Sequence, residues 1–280
     1  MMKLYTRNKK IWLEFSNKYF LVDMEWDSLV NRTGLYDFLL KLIPELEEVN
    51  PIDLGGSFDA PVGTQELWAA GVTYLRSKVA REKESEQEGG ASFYDKVYAA
   101  DRPELFFKGL PHRIAGHQDH VHIRKDSTWD VPEPELTLFI SSEGTIEGYT
   151  IGNDMSSRSI EGQNPLYLAQ AKVYDRSASL GPCLTVLNSP ISSDTSITLS
   201  IFRDDLKVFG DATSVSQIKR TFDDLVKYLF LETTFEKGVM LMTGTGIIPP
   251  DDFTLKSFDR VEISIDGIGT LINTVKTKPS

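Results

Sequence analysis

An α+β fold is what this sequence predicts, on two observations. Beyond residue 104 the chain breaks into short β-branched and aromatic runs bounded by turn residues, and apolar residues recur at clear helical spacing in only a few stretches. No internal repeat or low-complexity block argues otherwise. The elements follow in order. Residues 10–15 and 18–22 read as two strands joined by Ser16-Asn17, an early hairpin. A helix comes next, because Leu35, Phe38, Leu39 and Leu42 share one face behind Thr33, and Pro44 ends the pattern. The stretch Asn50-Pro-Ile-Asp-Leu-Gly-Gly-Ser57 has the composition of a linker, so a small α/β N-terminal domain (1–62) is expected ahead of a main domain (63–280).

Residues 74–80 suggest a helix, and the charged run 81–90, closed by paired glycines, is a candidate lid. Strands are then expected at 105–108, 136–140, 145–151, 184–187, 197–203 and 260–265. One helix interrupts them over 217–229, where Ile218, Phe222, Leu225 and Leu229 form a face suited to packing on a sheet.

Composition limits the function. Thirty basic residues against 41 acidic ones give a net charge of -11, which opposes binding to nucleic acid or an anionic membrane. An anionic substrate must then be drawn in by local cations. Cys183 is the only cysteine, so no internal disulfide forms, which suits a reducing cytoplasm; after Gly181-Pro182 it reads as a small buried residue rather than a nucleophile. Met1-Met-Lys3 leads into no apolar signal core, and no run reaches the roughly 18 apolar residues of a membrane span, so a cytoplasmic protein is expected.

Three acidic residues carry the chemistry. Glu133 and Glu135 in Val131-Pro-Glu-Pro-Glu-Leu136 are two apart ahead of a strand-like run, so an extended chain points both carboxylates to one face. Asp154 follows the strand candidate Gly148-Tyr-Thr-Ile-Gly152 at an expected Asn-Asp turn, where a neighbouring strand would bring it to the pair. Three carboxylates without nearby sulfur suit Mg2+, or Mn2+ or Ca2+, rather than Zn2+. The plainer alternative is an acidic strand start and a turn aspartate. Arg158 offers a guanidinium fork suited to a sugar acid's carboxylate or hydroxyls, or a salt bridge to Asp154 or Glu161. Glu104 is an acid-base candidate, or a surface residue before an apolar strand.

The stretch from Gly148 through Asn153-Asp-Met-Ser-Ser-Arg158 and Asn164-Pro-Leu-Tyr-Leu168 to Asp175, with Leu180-Gly-Pro182 and Met242-Thr-Gly-Thr-Gly-Ile247, resembles the fumarylacetoacetate hydrolase family. The likeness runs over roughly residues 64–275 and is strongest toward the family's 2-keto-3-deoxy sugar acid dehydratases. It implies a mixed β-roll, a homodimer or higher homo-oligomer, and a small 2-oxo acid substrate. It also implies Glu133, Glu135 and Asp154 as metal ligands, Lys172 beside the substrate as base or acid, and substrate contacts from Arg158, Lys108, Thr245, Tyr74 and Ser77. One departure matters. Ser77 stands in Gly71-Val-Thr-Tyr-Leu-Arg-Ser77 where family hydrolases carry a water-activating His, and a serine hydroxyl is no base near neutral pH.

The expected activity is therefore dehydration of a 2-keto-3-deoxy sugar acid, most closely 2-keto-3-deoxy-D-arabinonate to 2-oxoglutarate semialdehyde, through a metal-stabilised enolate. The alternatives are a hydrolase or decarboxylase of acylpyruvates or oxaloacetate-like acids, and a non-catalytic 2-oxo acid binder. Two further signals are set aside. His112, His117, His120 and His122 crowd one segment, but without a Cys partner they read as a solvated hairpin turning at Gly116. Gly244-Thr-Gly246 resembles a nucleotide loop, yet Pro249-Pro250 cannot open the helix such a loop needs.

Overall fold

Strand-forming runs dominate the described residues, which are 1–51, 56–77 and 96–279 of the computed structural model. In chain order the strands are β1 (Met2–Arg7), β2 (Lys10–Phe15), β3 (Lys18–Val22), β4 (Glu47–Val49), β5 (Glu66–Gly71), β6 (Glu104–Gly109), β7 (Ile114–Ala115), β8 (Asp119–Ile123) and β9 (Asp130–Val131). They continue with β10 (Pro134–Ile140), β11 (Ile146–Asp154), β12 (Ser156–Ser157), β13 (Ala178–Val186), β14 (Ser196–Arg203), β15 (Leu206–Ser214), β16 (Val239–Met242), β17 (Arg260–Ile265) and β18 (Gly269–Thr277). A large sheet runs β4-β3-β2-β1-β13-β11-β10-β16-β5-β6, with β7 also paired to β13. A second sheet runs β15-β14-β17-β18-β8. Parallel pairs (β16 with β5, β18 with β8, β13 with β7) sit among antiparallel ones, giving the mixed sheets expected.

Strand alternation divides the core in two. Leu136, Leu138 and Ile140 of β10 pack toward the second sheet, with Leu199, Ile201 and Ile263. Phe139 points to the opposite face and joins Leu29, Leu35, Leu39, Met240 and Met242. Both faces of β10 are thus covered, which is why all seven of its residues are buried. Glu133, Glu135 and Thr137 belong to the Phe139 face by the same alternation, so the acidic pair sits at the strand's entrance on the side roofed by the helices Trp26–Val30 and Leu35–Leu42.

Strands 10–15, 18–22 and 260–265 and the helix behind Thr33 form where expected. Other expectations shift for identifiable reasons. The helix expected from 217 begins at Phe222: Ile218 is held extended by a bridge to Tyr74, and the Thr221 hydroxyl caps the helix by accepting from the Asp224 N–H at 3.1 Å. The strand expected to end at a turn before Asp154 instead runs through Asp154. The histidine hairpin does not form. β7 pairs with β13 and β8 with β18, both parallel, and His117 and His122 are buried. Alternation around a glycine marks strands without naming their partners. Strand β1 escaped sequence reading, and it joins the N-terminal strands to the large sheet by pairing Leu4 with Leu184 of β13. Residues 75–77 begin a helix, while the remainder of 74–80 and the candidate lid at 81–90 lie outside the described residues. Cys183 is fully buried, and burial pushes its thiol up to about 11, so it is no nucleophile.

Candidate active site

Pairing of β10 with β11 assembles the acidic group. The ladder opposes Pro134 to Asn153, and one step further Glu133 and Asp154 exchange backbone hydrogen bonds (Glu133 N–H to Asp154 O at 3.2 Å, Asp154 N–H to Glu133 O at 2.9 Å). Directly opposed residues on antiparallel strands share a face. Glu135, two along from Glu133, shares it as well. One ligand oxygen from each of the three carboxylates lies within 4.8 Å of the others, and all three residues are buried.

Cations hold this charge in place. The Lys172 ammonium, at the end of the helix Leu168–Lys172, donates to Glu133 Oε2 at 2.7 Å, Asp154 Oδ2 at 2.9 Å and Ser156 Oγ at 2.5 Å. Arg158 Nη2 meets the other Glu133 oxygen at 2.7 Å. Lys108, fully buried, pairs with Asp154 Oδ1 at 2.6 Å and donates to the backbone carbonyls of Met155 and Lys172. Burial pulls the Lys108 amine down, and Asp154 acts against that. On the far side, Gly244 N–H donates to Glu135 Oε2 at 2.6 Å. Only glycine fits there: its φ is +91°, and a Cβ would meet Thr73 Oγ1 at 2.0 Å.

One cavity gathers most of the sequence-derived residues: Ser77, Glu104, the acidic three, Arg158, Lys172 and Thr245 all line it. Lys108 does not line it, standing behind Asp154 instead. Tyr74 is buried next to Glu135 and lines a neighbouring cavity with Arg76, Thr213 and Gln217; burial, then Glu135, pushes its phenol up. Two hydroxyls in the cavity are already engaged. Ser77 Oγ donates to Tyr74 O at 2.7 Å, and Thr245 Oγ1 donates to Ile247 O at 3.3 Å. Sequence reading gave no chemical role to two side chains at the site. Ser156, two along from Asp154 in extended chain, accepts from Lys172, and Glu161, one helical turn from Arg158, lines the cavity while 3 % exposed. Their spacings from Asp154 and Arg158 were the available signal.

The residues fit a hard divalent cation. Burial first, then Asp154 and Glu133, pushes Glu135 well above the usual carboxylate range, a like-charge strain that a bound cation relieves. An all-oxygen carboxylate set suits Mg2+ or Mn2+.

Residues 77–276 match the fumarylacetoacetate hydrolase C-terminal family. The chain is 43% identical over 251 residues to a Haloferax volcanii protein named as a probable 2-keto-3-deoxyxylonate dehydratase, covering 89% of this chain and 85% of that one. It is 39% identical over 254 residues to the 2-dehydro-3-deoxy-D-arabinonate dehydratase of Saccharolobus solfataricus, covering 88% and 81%. Among solved structures, a 2-keto-3-deoxy-D-arabinonate dehydratase complexed with magnesium and 2,5-dioxopentanoate superposes with a TM-score of 0.82 at 30% identity, over 100% of this chain and 99% of that one.

Proposed function

The chain belongs to the fumarylacetoacetate hydrolase family, and from that premise we propose that it is a hydro-lyase that removes water from 2-keto-3-deoxy-D-arabinonate to give 2,5-dioxopentanoate. The two relatives named for arabinonate and xylonate acids point to one substrate. Once C2 is a ketone and C3 a methylene, the only stereocentre left is C4, so within the D series both names denote the same five-carbon acid. The observation that carries the reading is the buried Glu133, Glu135 and Asp154 clamp spanned by Lys172.

Glu133, Glu135 and Asp154 would hold Mg2+, which when bound polarises the C2 carbonyl and accommodates the charge that C3 deprotonation sends to its oxygen. Glu104 and Lys172, which line the same cavity, are the two groups that would exchange protons with the substrate, and the Lys172 ammonium also neutralises the clamp. Arg158, anchored on Glu133, presents its charge to the substrate's carboxylate or hydroxyls. Lys108 orients Asp154 and the end of the Lys172 helix rather than meeting substrate. Hydrolysis is disfavoured because Ser77, whose hydroxyl is bonded to the Tyr74 backbone, offers no base for water. The same reading carries a homodimer or higher homo-oligomer in the cytoplasm, and light scattering on the purified protein tests the assembly.

The decisive experiment incubates the protein with Mg2+ and a panel of 2-keto-3-deoxy acids, acylpyruvates and oxaloacetate, with and without EDTA, following products by NMR. Metal-dependent water loss from the five-carbon sugar acid is expected. Cleavage or CO2 release from the other acids alone would overturn the reading.

A further inference from the structure

Proton exchange with the substrate depends on where the Glu104 carboxyl sits relative to the clamp, and the two come from different parts of the large sheet. Glu104 opens β6, an edge strand, whereas the clamp lies at β10 and β11, with β16 and β5 in between. Strand pairing fixes the Glu104 backbone but not its long side chain, which has several staggered rotamers open to it.

The adjacent strand supplies a seat. Gly71, the last residue of β5, pairs directly with Glu104, and both line the active-site cavity. The Glu104 carboxyl lies over the bare α-carbon of Gly71, so that a Cβ there would meet Glu104 Oε2 at 2.0 Å and Cδ at 2.6 Å. Both distances fall far inside the roughly 3.5–4.0 Å of an ordinary contact. Any residue other than glycine at this position displaces the carboxyl.

The backbone beneath the seat is pinned. Val72, buried in the cavity wall, is held at φ +53°, a left-handed conformation that β-branched residues avoid. Thr73, fully buried, donates from its hydroxyl to Thr243 O at 2.7 Å. The same hydroxyl stands 2.0 Å from where a Cβ on Gly244 would be, and Gly244 N–H donates to Glu135 Oε2 at 2.6 Å. Backbone strain of this kind persists only where the surrounding structure over-determines it. A run of close contacts therefore leads from the Glu104 carboxyl through residues 71–73 to Gly244 and the ligand Glu135.

We propose that Gly71 is a positioning residue: its missing side chain seats the Glu104 carboxyl in the cavity, at a spacing from Glu135 set by the turn through Val72 and Thr73. The inference rests on the dehydratase reading, with Glu104 as one of the groups that exchange protons with the substrate. A carboxyl at the end of a flexible side chain can swing aside, so a methyl at position 71 acts on catalysis and not on folding. The clamp keeps its own partners, Lys172, Arg158, Lys108 and Gly244.

The test uses the full-length Mg2+-loaded protein as Gly71→Ala, as Glu104→Asp, whose carboxyl is one methylene shorter, and as the double variant. For Gly71→Ala, kcat for water loss is expected to fall by about 10–100-fold, the scale of an ångström-sized misplacement, with KM within about threefold. Mn2+ affinity, read by titration, and the thermal midpoint should match the parent. In the Glu104→Asp background the same methyl should cost less than about threefold, because the shortened carboxyl reaches less far across Gly71. A crystal structure of Gly71→Ala should show the Glu104 carboxyl turned away from β5, which decides the placement even if Glu104→Asp is inactive. Undiminished turnover, an equal loss in both backgrounds, a loss that comes with a lowered midpoint or weakened Mn2+ binding, or a carboxyl still in place in the crystal would overturn the inference. A parent that loses no water would overturn the dehydratase reading, whereas failure of these comparisons in an active parent would overturn this inference alone.

Discussion

Glu133, Glu135 and Asp154 come from two paired strands and converge, whereas His112, His117, His120 and His122 crowd one short stretch of sequence and disperse. His117 Nδ1 accepts from the Ile272 N–H at 3.2 Å, His120 Nε2 meets Lys276 Nζ at 2.8 Å, and His112 lies in the short 3-10 helix Pro111–Arg113. His122 is buried on β8. Among the described residues, the acidic three are the only group of metal-ligating side chains brought together. Closeness in sequence is therefore a poor guide to a site. What assembles one is a shared strand face, fixed by register, with cations and a backbone N–H locking each carboxylate.

The strongest way to break this comparison is to remove a ligand. Glu135→Gln should weaken Mn2+ binding, read by titration, and lower turnover, each by more than about 100-fold, since even a group supporting a ligand is worth 10–100-fold. If both stay within a factor of a few, the acidic group is not the metal site. Next in size is Lys108→Met, which leaves Asp154 without one of its two ammonium partners in a dry interior. Denaturant unfolding should show a loss of about 3–5 kcal/mol. Gly244→Ala, strained at φ +91° and pressed against Thr73, should cost at least about 2 kcal/mol and draw the N–H away from Glu135.

The same contrast explains what was legible in the sequence. A two-residue offset on a strand fixes a shared face without knowledge of the fold, so the Glu133/Glu135 clamp could be read directly. Asp154 reached it for a different local reason than expected, as a strand residue opposite Glu133 rather than a turn residue, but the neighbouring-strand argument survived. Lys108 was recognised only through family resemblance. That its amine reaches carbonyls at 155 and 172 depends on how β6 lies against the Leu168–Lys172 helix, which no local pattern encodes. The histidine segment failed because alternation predicts strands, while their partners, β13 and β18, lie far along the chain.

Acid titration sharpens the comparison at smaller amplitude, because the two regions respond to pH with opposite signs. Asp130, just ahead of the clamp, is pushed up to about 6, chiefly by burial. A carboxyl raised in the fold favours the folded state fully below its unfolded value of 3.8, and that contribution fades as pH climbs through about 6. Above pH 6 the charged side chain destabilises the fold by up to about 3 kcal/mol, which Asp130→Asn should recover at pH 7. His117 and His122 are pushed down, again chiefly by burial, so the fold disfavours their charged forms. Their stability contribution is intact above 6.5 and declines as pH falls below it.

The smallest effect expected is on catalysis by the histidine segment. His120 is half-buried and its ring meets a lysine of the neighbouring strand rather than the cavity. His120→Ala should therefore leave turnover within about twofold, and the stability change, from an exchange at a half-buried position, near the ±0.5 kcal/mol common for surface substitutions. A loss of activity matching that of Glu135→Gln would mean that the dispersed segment feeds the site after all, and the contrast between convergent and crowded ligands would no longer hold for this protein.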